Sequence, residues 1–231
     1  MVQIDCTGKT TTEINKAIAA GLAKDGNVVV KNPASRHNLG VGINHPGKVV
    51  FEGNVGYYCA GMLKDADVEI KGNCGWSVGE DMMSGSIVVH GNASAAAGAA
   101  IRGGLLVVHG NAGPRTGISM KGGTIIIGGN VDYMSGFIMQ KGTFIICGNT
   151  GEALADSMYE GRVFVRGTIA EHGNDAVETE MTKEDKAMLK DLLTKYKVAG
   201  IPKPESFKKI VSGKKLYNFS MKDYELWRVA L

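Results

Sequence analysis

The sequence predicts an all-β core, a right-handed parallel β-helix built from 19-residue coils, with an N-terminal capping helix and a C-terminal helical tail. Three observations carry this. The pairs Gly53-Asn54, Gly72-Asn73, Gly91-Asn92, Gly110-Asn111, Gly129-Asn130 and Gly148-Asn149 recur 19 residues apart without slippage, and the next step lands on Gly167-Thr168. A β-forming triplet precedes each pair, from Val49-Val50-Phe51 through Ile125-Ile126-Ile127 to Val163-Phe164-Val165. Glycine accounts for 33 of 231 residues, and its excess falls in the repeat, where short coils need tight corners.

A unit this short cannot bury an apolar face alone, so it must stack on its neighbours and share a continuous core. Leucine-rich and helical repeats require other frames or longer periods, which leaves a β-helix. Small residues return six positions after the Asn (Ala60, Gly79, Gly98, Gly117, Gly136, Ala155) and glycine returns twelve after it (Gly85 to Gly161), so each coil turns more than once. Nine after the Asn stands a column of Leu63, Met82, Ile101, Met120, Met139 and Met158. Apolar identity in register is what an inward-facing position demands, and core is favoured over a soft-metal stripe. The Asn residues are expected in αL turns with their amides stacked in a ladder. At about 4.8 Å per coil the six full intervals make a rod of roughly 29 Å.

Three segments follow: 1–27, strand and cap; 28–181, the β-helix; 182–231, a basic helical tail. Residues 2–6 alternate like a strand, and Thr10 to Thr12 offer an N-cap to a helix with Ile14, Ala17, Ile18 and Leu22 on its apolar face, ending near Gly26. Such a helix would cover the raw edge of the first coil. Val28-Val29-Val30 reads as an earlier coil, offset by 21, with two extra residues around His37 to Ile43 that suit a contact. Thr182 to Asp185 opens a helix with Met188, Leu189, Leu192, Leu193 and Tyr196 on one face, stopped by Gly200. A short helix is expected around Phe207, Ile210 and Val211, followed by the aromatics Tyr217, Phe219, Tyr224 and Trp227. From residue 182 on there are 12 Lys and Arg against 6 Asp and Glu, so the tail is +6 and the remainder −3. The tail either packs across the end of the β-helix or embraces an acidic partner.

The search for chemistry assigns no catalytic, cofactor-binding or metal-binding residue. Gly75-Trp76-Ser77-Val78-Gly79 matches a nucleophile elbow, but both glycines recur in sister coils, so the repeat explains them. His90 and His109 share one register and could hold a metal; their column also carries Glu52, Lys71, Gly128, Cys147 and Arg166, which favours a solvated outer face. Glu80, Asp81 and Asp156 read as loop carboxylates, and Gly40-Val41-Gly42 lacks the third glycine of a dinucleotide site. Cys6, Cys59, Cys74 and Cys147 form no metal or disulfide framework. With neither a leader nor a long apolar run, and no basic-aromatic alternation, the expectation is a cytoplasmic protein that engages neither membrane nor nucleic acid.

The stretches Gly53-Asn54-Val55-Gly56-Tyr57-Tyr58-Cys59-Ala60-Gly61-Met62, Met82 to Gly85, Gly91 to Ser94, Gly117 to Gly122, Gly148 to Ala153 and Asp156 to Gly161 resemble the GXGXG β-helix domain that ends the large subunit of glutamate synthase. The chain is similar to the stand-alone version of that domain, the B subunit, in N-methylglutamate synthase and other split glutamate synthases, as is its tail at Lys215 to Phe219. The resemblance implies a hetero-oligomer in which this chain braces a class II glutamine-amidotransferase-like subunit and a glutamate synthase-like subunit carrying FMN and an iron–sulfur cluster. It implies no cofactor on this chain, and a reaction of glutamate with methylamine to N-methylglutamate and ammonia. A glutamate synthase using ammonia and the β-helix subunit of formylmethanofuran dehydrogenase share the same glycine grammar. A self-sufficient enzyme with a site in residues 33–45 and a free-standing homo-oligomeric scaffold are the remaining readings.

Overall fold

The computed structural model describes residues 1–198, 200 and 202–214. Its spine is one sheet in which β1 (Val2–Asp5), β2 (Asn27–Lys31), β3 (Gly47–Glu52), β4 (Ala66–Ile70), β5 (Ser86–Val89), β6 (Leu105–Val108), β7 (Lys121–Ile127), β8 (Lys141–Ile146) and β9 (Arg162–Val165) lie parallel in chain order. Val49, Val68, Ile87, Leu106, Ile125, Phe144 and Val163 are successive register partners, so the 19-residue period is one coil of a β-solenoid. The columns read as core are core: Leu63, Met82, Ile101, Met120, Met139 and Met158 are all fully buried, with Phe51 and Phe144 filling the same interior.

The repeated Asn residues form the expected ladder but not in αL turns, and its rungs run mainly from carboxamide to backbone, with Asn92 Nδ2 also 3.4 Å from Asn73 Oδ1. Each Asn Oδ1 accepts the backbone N–H of the residue one coil on: Asn54 from Asn73, Asn73 from Asn92, Asn92 from Asn111, Asn111 from Asn130 and Asn130 from Asn149, all at 2.8 Å, and Asn149 from Thr168 at 2.9 Å. The glycine before each Asn makes room for this bond. A Cβ on Gly91, Gly110 or Gly148 would sit 2.4, 2.4 or 2.3 Å from the carboxamide oxygen of the preceding coil.

The left-handed residues lie elsewhere, at the fourth, sixth and eighth positions after each Asn: Tyr58, Ala60 and Met62; Ser77, Gly79 and Asp81; and so on to Ala153, Ala155 and Ser157. Alternating hand turns successive peptides opposite ways. Ser77 N–H donates to Ala95 O in the following coil, Gly79 N–H to Cys59 O in the preceding one, and Asp81 N–H to Ala99 O in the following one. This second wall is therefore bonded to both neighbours without being a strand, satisfying the backbone groups that a coil corner would otherwise bury unpaired.

Helix α1 (Thr11–Asp25) closes the N-terminal end as expected. Thr10 caps it with a capping box to Glu13, Gly26 ends it at φ 73°, and Ile14, Ile18 and Leu22 enter the solenoid core. The two extra residues of the first coil are divided. Ala60 N–H bonds Leu39 O and Lys64 N–H bonds Ile43 O at separations of 21, where the sister bonds Gly79–Cys59 and Met83–Leu63 span 20. One extra residue thus precedes Leu39 and the other follows Ile43. The insertion does make a contact, since Asn15 of α1 donates to Asn38 O and accepts from Gly40 N–H, both at 2.8 Å.

The C-terminal part corrects three expectations. Helix α2 (Lys183–Lys195) ends at a Tyr196 cap, a turn before Gly200. Residues 204–206 form a single 3₁₀ turn, and Ile210 and Val211 lie in a strand. After β10 (Ala176–Thr179), strand β11 (Lys208–Ser212) inserts antiparallel between β9 and β10, closing the sheet. β-Branched Ile210 and Val211 fit an extended segment better than a helix turn. Finally, α2 lies on the outer face of the sheet, where Leu189 and Leu193 pack on Val107, Ile126, Ile145 and Phe164. Tyr217, Phe219, Tyr224 and Trp227 lie outside the described residues.

Candidate functional site

Where α2 stops, the outer face of the sheet becomes polar. Glu69 on β4 is the hub: Lys48 Nζ lies 2.8 Å from its Oε2, while Lys71 Nζ and His90 Nε2 meet its Oε1, the latter at 2.8 Å. One coil on, the His109 ring stacks over His90 with centroids 5.4 Å apart. Lys195, Tyr196 and Lys197, at the end of α2, complete a cavity of about 550 Å³. Burial alone would raise the Glu69 pKa, but hydrogen bonds from Lys48, Lys71 and His90 outweigh it and hold it at about 2. Burial, helped by His90, lowers that of His109.

The two histidines flagged by register are therefore together, as the spacing predicts, and a carboxylate satisfies one of them. Among the described residues no group of three metal-ligating side chains converges. Their column is not solvated throughout, because Cys147 is buried beneath α2. Glu69→Gln removes a carboxylate whose folded pKa is depressed, which stabilises the protein above the ordinary glutamate range and loses that effect as pH falls towards 2. The variant's melting temperature is expected to fall less steeply than that of the wild type between pH 5 and pH 3. Parallel acid profiles would contradict the hub.

The αL wall carries a second feature, which the sequence reading missed. Its outward third position after the Asn holds Tyr57, Trp76 and Tyr133, and Trp76 is 65% exposed. Tyr57 and Trp76 edge a groove of about 690 Å³ whose lining, from Ser35 to Ser94, contains no Asp, Glu, Lys or Arg. The ring of His37, from the insertion, lies tilted by 36° against that of Tyr57 with centroids 4.3 Å apart, and its Nδ1 accepts the Tyr57 N–H at 3.1 Å. Tyr57, Trp76 and Tyr133 share a register in the sequence, a signal carried by an outward rather than an inward column.

The other flagged residues take structural places. Ser77 sits on the αL wall at φ 57°, with no strand-to-helix turn around it. Asp81 faces Arg102 at 3.7 Å, and Asp156, nearly buried, accepts from Asn174 N–H and Nδ2 and from Ser157 Oγ. Gly40 and Gly42 adopt positive φ beside α1. All four cysteines are buried and free; burial pushes Cys74 and Cys147 up to about 12 and Cys59 well above the thiol range, so none is poised as a thiolate nucleophile.

Comparison with known proteins agrees with this architecture. The family model described as "GXGXG motif" matches residues 44–203. Protein GlxC of Rhizobium meliloti (strain 1021) is 55% identical over 192 residues, covering 83% of this chain and 84% of GlxC. Among solved structures, a chain of the formyltransferase/hydrolase complex from Methylorubrum extorquens, crystallised with methylofuran, superposes with a TM-score of 0.70. It is 20% identical and the match covers 87% of this chain and 86% of that one, a likeness of fold. No helix among the described residues is long and apolar enough to cross a membrane.

Proposed function

The chain belongs to the GXGXG motif family, and from that premise we propose that it is the non-catalytic bracing subunit of a glutamate synthase-like complex. In this reading it holds a class II glutamine-amidotransferase-like subunit against a subunit carrying FMN and an iron–sulfur cluster. The amine is methylamine, and the complex makes N-methylglutamate from glutamate in the cytoplasm.

The observation that carries the reading is how this chain uses its side chains. The Asn carboxamides are spent on the coil ladder, the thiols are buried and protonated, and Glu69 is saturated by three donors. A general acid or base needs a titrating group within reach of a substrate, and a nucleophile needs an activating base. The titratable groups that do share a cavity, Glu69, His90 and His109, are tied to one another and to Lys48 and Lys71, and the outer faces offer large areas for contact. The Gly53 to Met62 and Met82 to Gly85 stretches support the glutamate synthase side over formylmethanofuran dehydrogenase.

Native purification at low salt, with mass spectrometry of co-eluting chains and an absorption spectrum, tests this. The expected result is an amidotransferase-like chain and a yellow-brown flavin and iron–sulfur chain in constant ratio with this one, with turnover on methylamine exceeding that on ammonia. Co-elution with a molybdenum or tungsten subunit, or a colourless lone chain, would overturn it.

A further inference from the structure

The groove on the αL wall is the feature that coil closure leaves unexplained. Trp76 is 65% exposed, and on one side the next residues in its column are the small Ala95 and Pro114, so most of its ring is left uncovered. Resting on the reading just given, we propose that this groove is the seat of an uncharged loop from a neighbouring subunit, which inserts an apolar side chain between Tyr57 and Trp76.

Three features select this occupant. First, in a protein with 21% charged residues, the groove lining holds no formal charge. A charged segment seated there would be desolvated without a counter-charge, a cost that an uncharged one does not meet. Second, the groove is open, and its hydrogen-bond acceptors on Asn54, Asn73 and His37 Nδ1 are turned to the chain's own backbone. Asn54 and Asn73 accept from the next coil, and His37 Nδ1 accepts from Tyr57. A small-molecule site needs an enclosing cleft that buries most of its ligand, and this open groove does not supply one. Third, Trp and Tyr at the rim of a well-packed depression are the residue types that dominate protein–protein binding energy. The Glu69 face, rich in charge, suits no such loop.

The test uses the complex reconstituted from separately expressed subunits, with 5-fluorotryptophan in this chain alone. The chain has two tryptophans, Trp76 and Trp227, and W227F assigns the Trp76 fluorine resonance. On assembly the Trp76 resonance should lose its solvent-isotope shift. Trp76→Ala should weaken association about thirtyfold, while the melting curve of the isolated chain stays unchanged because the side chain is exposed. Tyr133→Ala, in the same column beyond Pro114, should bind as wild type. A complex that forms with Trp76 still open to water would overturn the groove and leave the proposed function standing. Failure of any complex to form would sink both. Concentration-dependent self-association abolished by Trp76→Ala would assign the groove to a second copy of this chain and refute the proposal.

Discussion

Replacing Asp185 with alanine is expected to release helix α2 from the solenoid. Asp185 is the N3 residue of the helix and accepts the Thr182 N–H at 3.0 Å in the capping box. Its side chain, 2% exposed, also takes Arg162 Nη1 of β9 at 3.0 Å and Lys209 Nζ of β11 at 2.7 Å. One carboxylate therefore ties helix, last coil and closing strand together. Burial alone would raise its pKa, but Lys209, the Thr182 amide and Arg162 reverse that and lower it. Removing it strands the Lys209 ammonium, which is only 15% exposed, and removing one partner of such a pair costs about 3–5 kcal/mol. Hydrogen exchange should show α2 amides losing protection by about that amount, while the β4–β6 amides keep theirs. Because the folded pKa is depressed, the stabilisation is present above the ordinary aspartate range and is lost as pH falls from that range through the lowered folded value. Unchanged α2 protection in Asp185→Ala would contradict the anchor.

The second large effect concerns glycine. Gly148→Ala places a methyl group 2.3 Å from Asn130 Oδ1 and 2.5 Å from the Gly129 carbonyl, so the coils must separate or the Asn130–Asn149 bond must break. Overcrowding of that kind costs about 2–3 kcal/mol. Gly117→Ala is expected to cost about 1 kcal/mol, the penalty for a Cβ at φ 69°, because its nearest neighbour would be Ile125 Cδ1 at 3.4 Å. Sister coils already hold Ala60 and Ala155 there at φ 53° and 56°. Gly117→Val adds a β-branch at positive φ and should fall between the two. Urea denaturation of the three variants measures the order, and equal losses for Gly148→Ala and Gly117→Ala would show that the Gly-Asn glycine is not set by the ladder.

The solenoid was legible because its period is a geometric necessity. A residue that recurs every 19 positions in register meets its own kind in the next coil, so columns such as Met82, Ile101 and Met120 state their environment directly. The role of the Asn was not legible in the same way. Gly-Asn fits an αL turn on local grounds, and only the coil above, with its N–H aimed at Oδ1, shows that the glycine is there to admit a side chain from another turn. The C-terminal misreading has a similar cause. Ile210 and Val211 pair with Glu178 and Val177 of β10, more than thirty residues away, and no local period announces such a partner. The Tyr57–Trp76 groove was visible as a column but lay on the outward side.

The measurement that tests the central claim most directly is reconstitution of the proposed amidotransferase-like and flavin subunits with and without this chain, following the proposed formation of N-methylglutamate from glutamate and methylamine. A bracing role predicts that the chain alone turns over nothing, that the two partners alone neither associate stably nor reach full rate, and that adding this chain restores both. Full activity without it, or any turnover by the chain alone, would contradict that role.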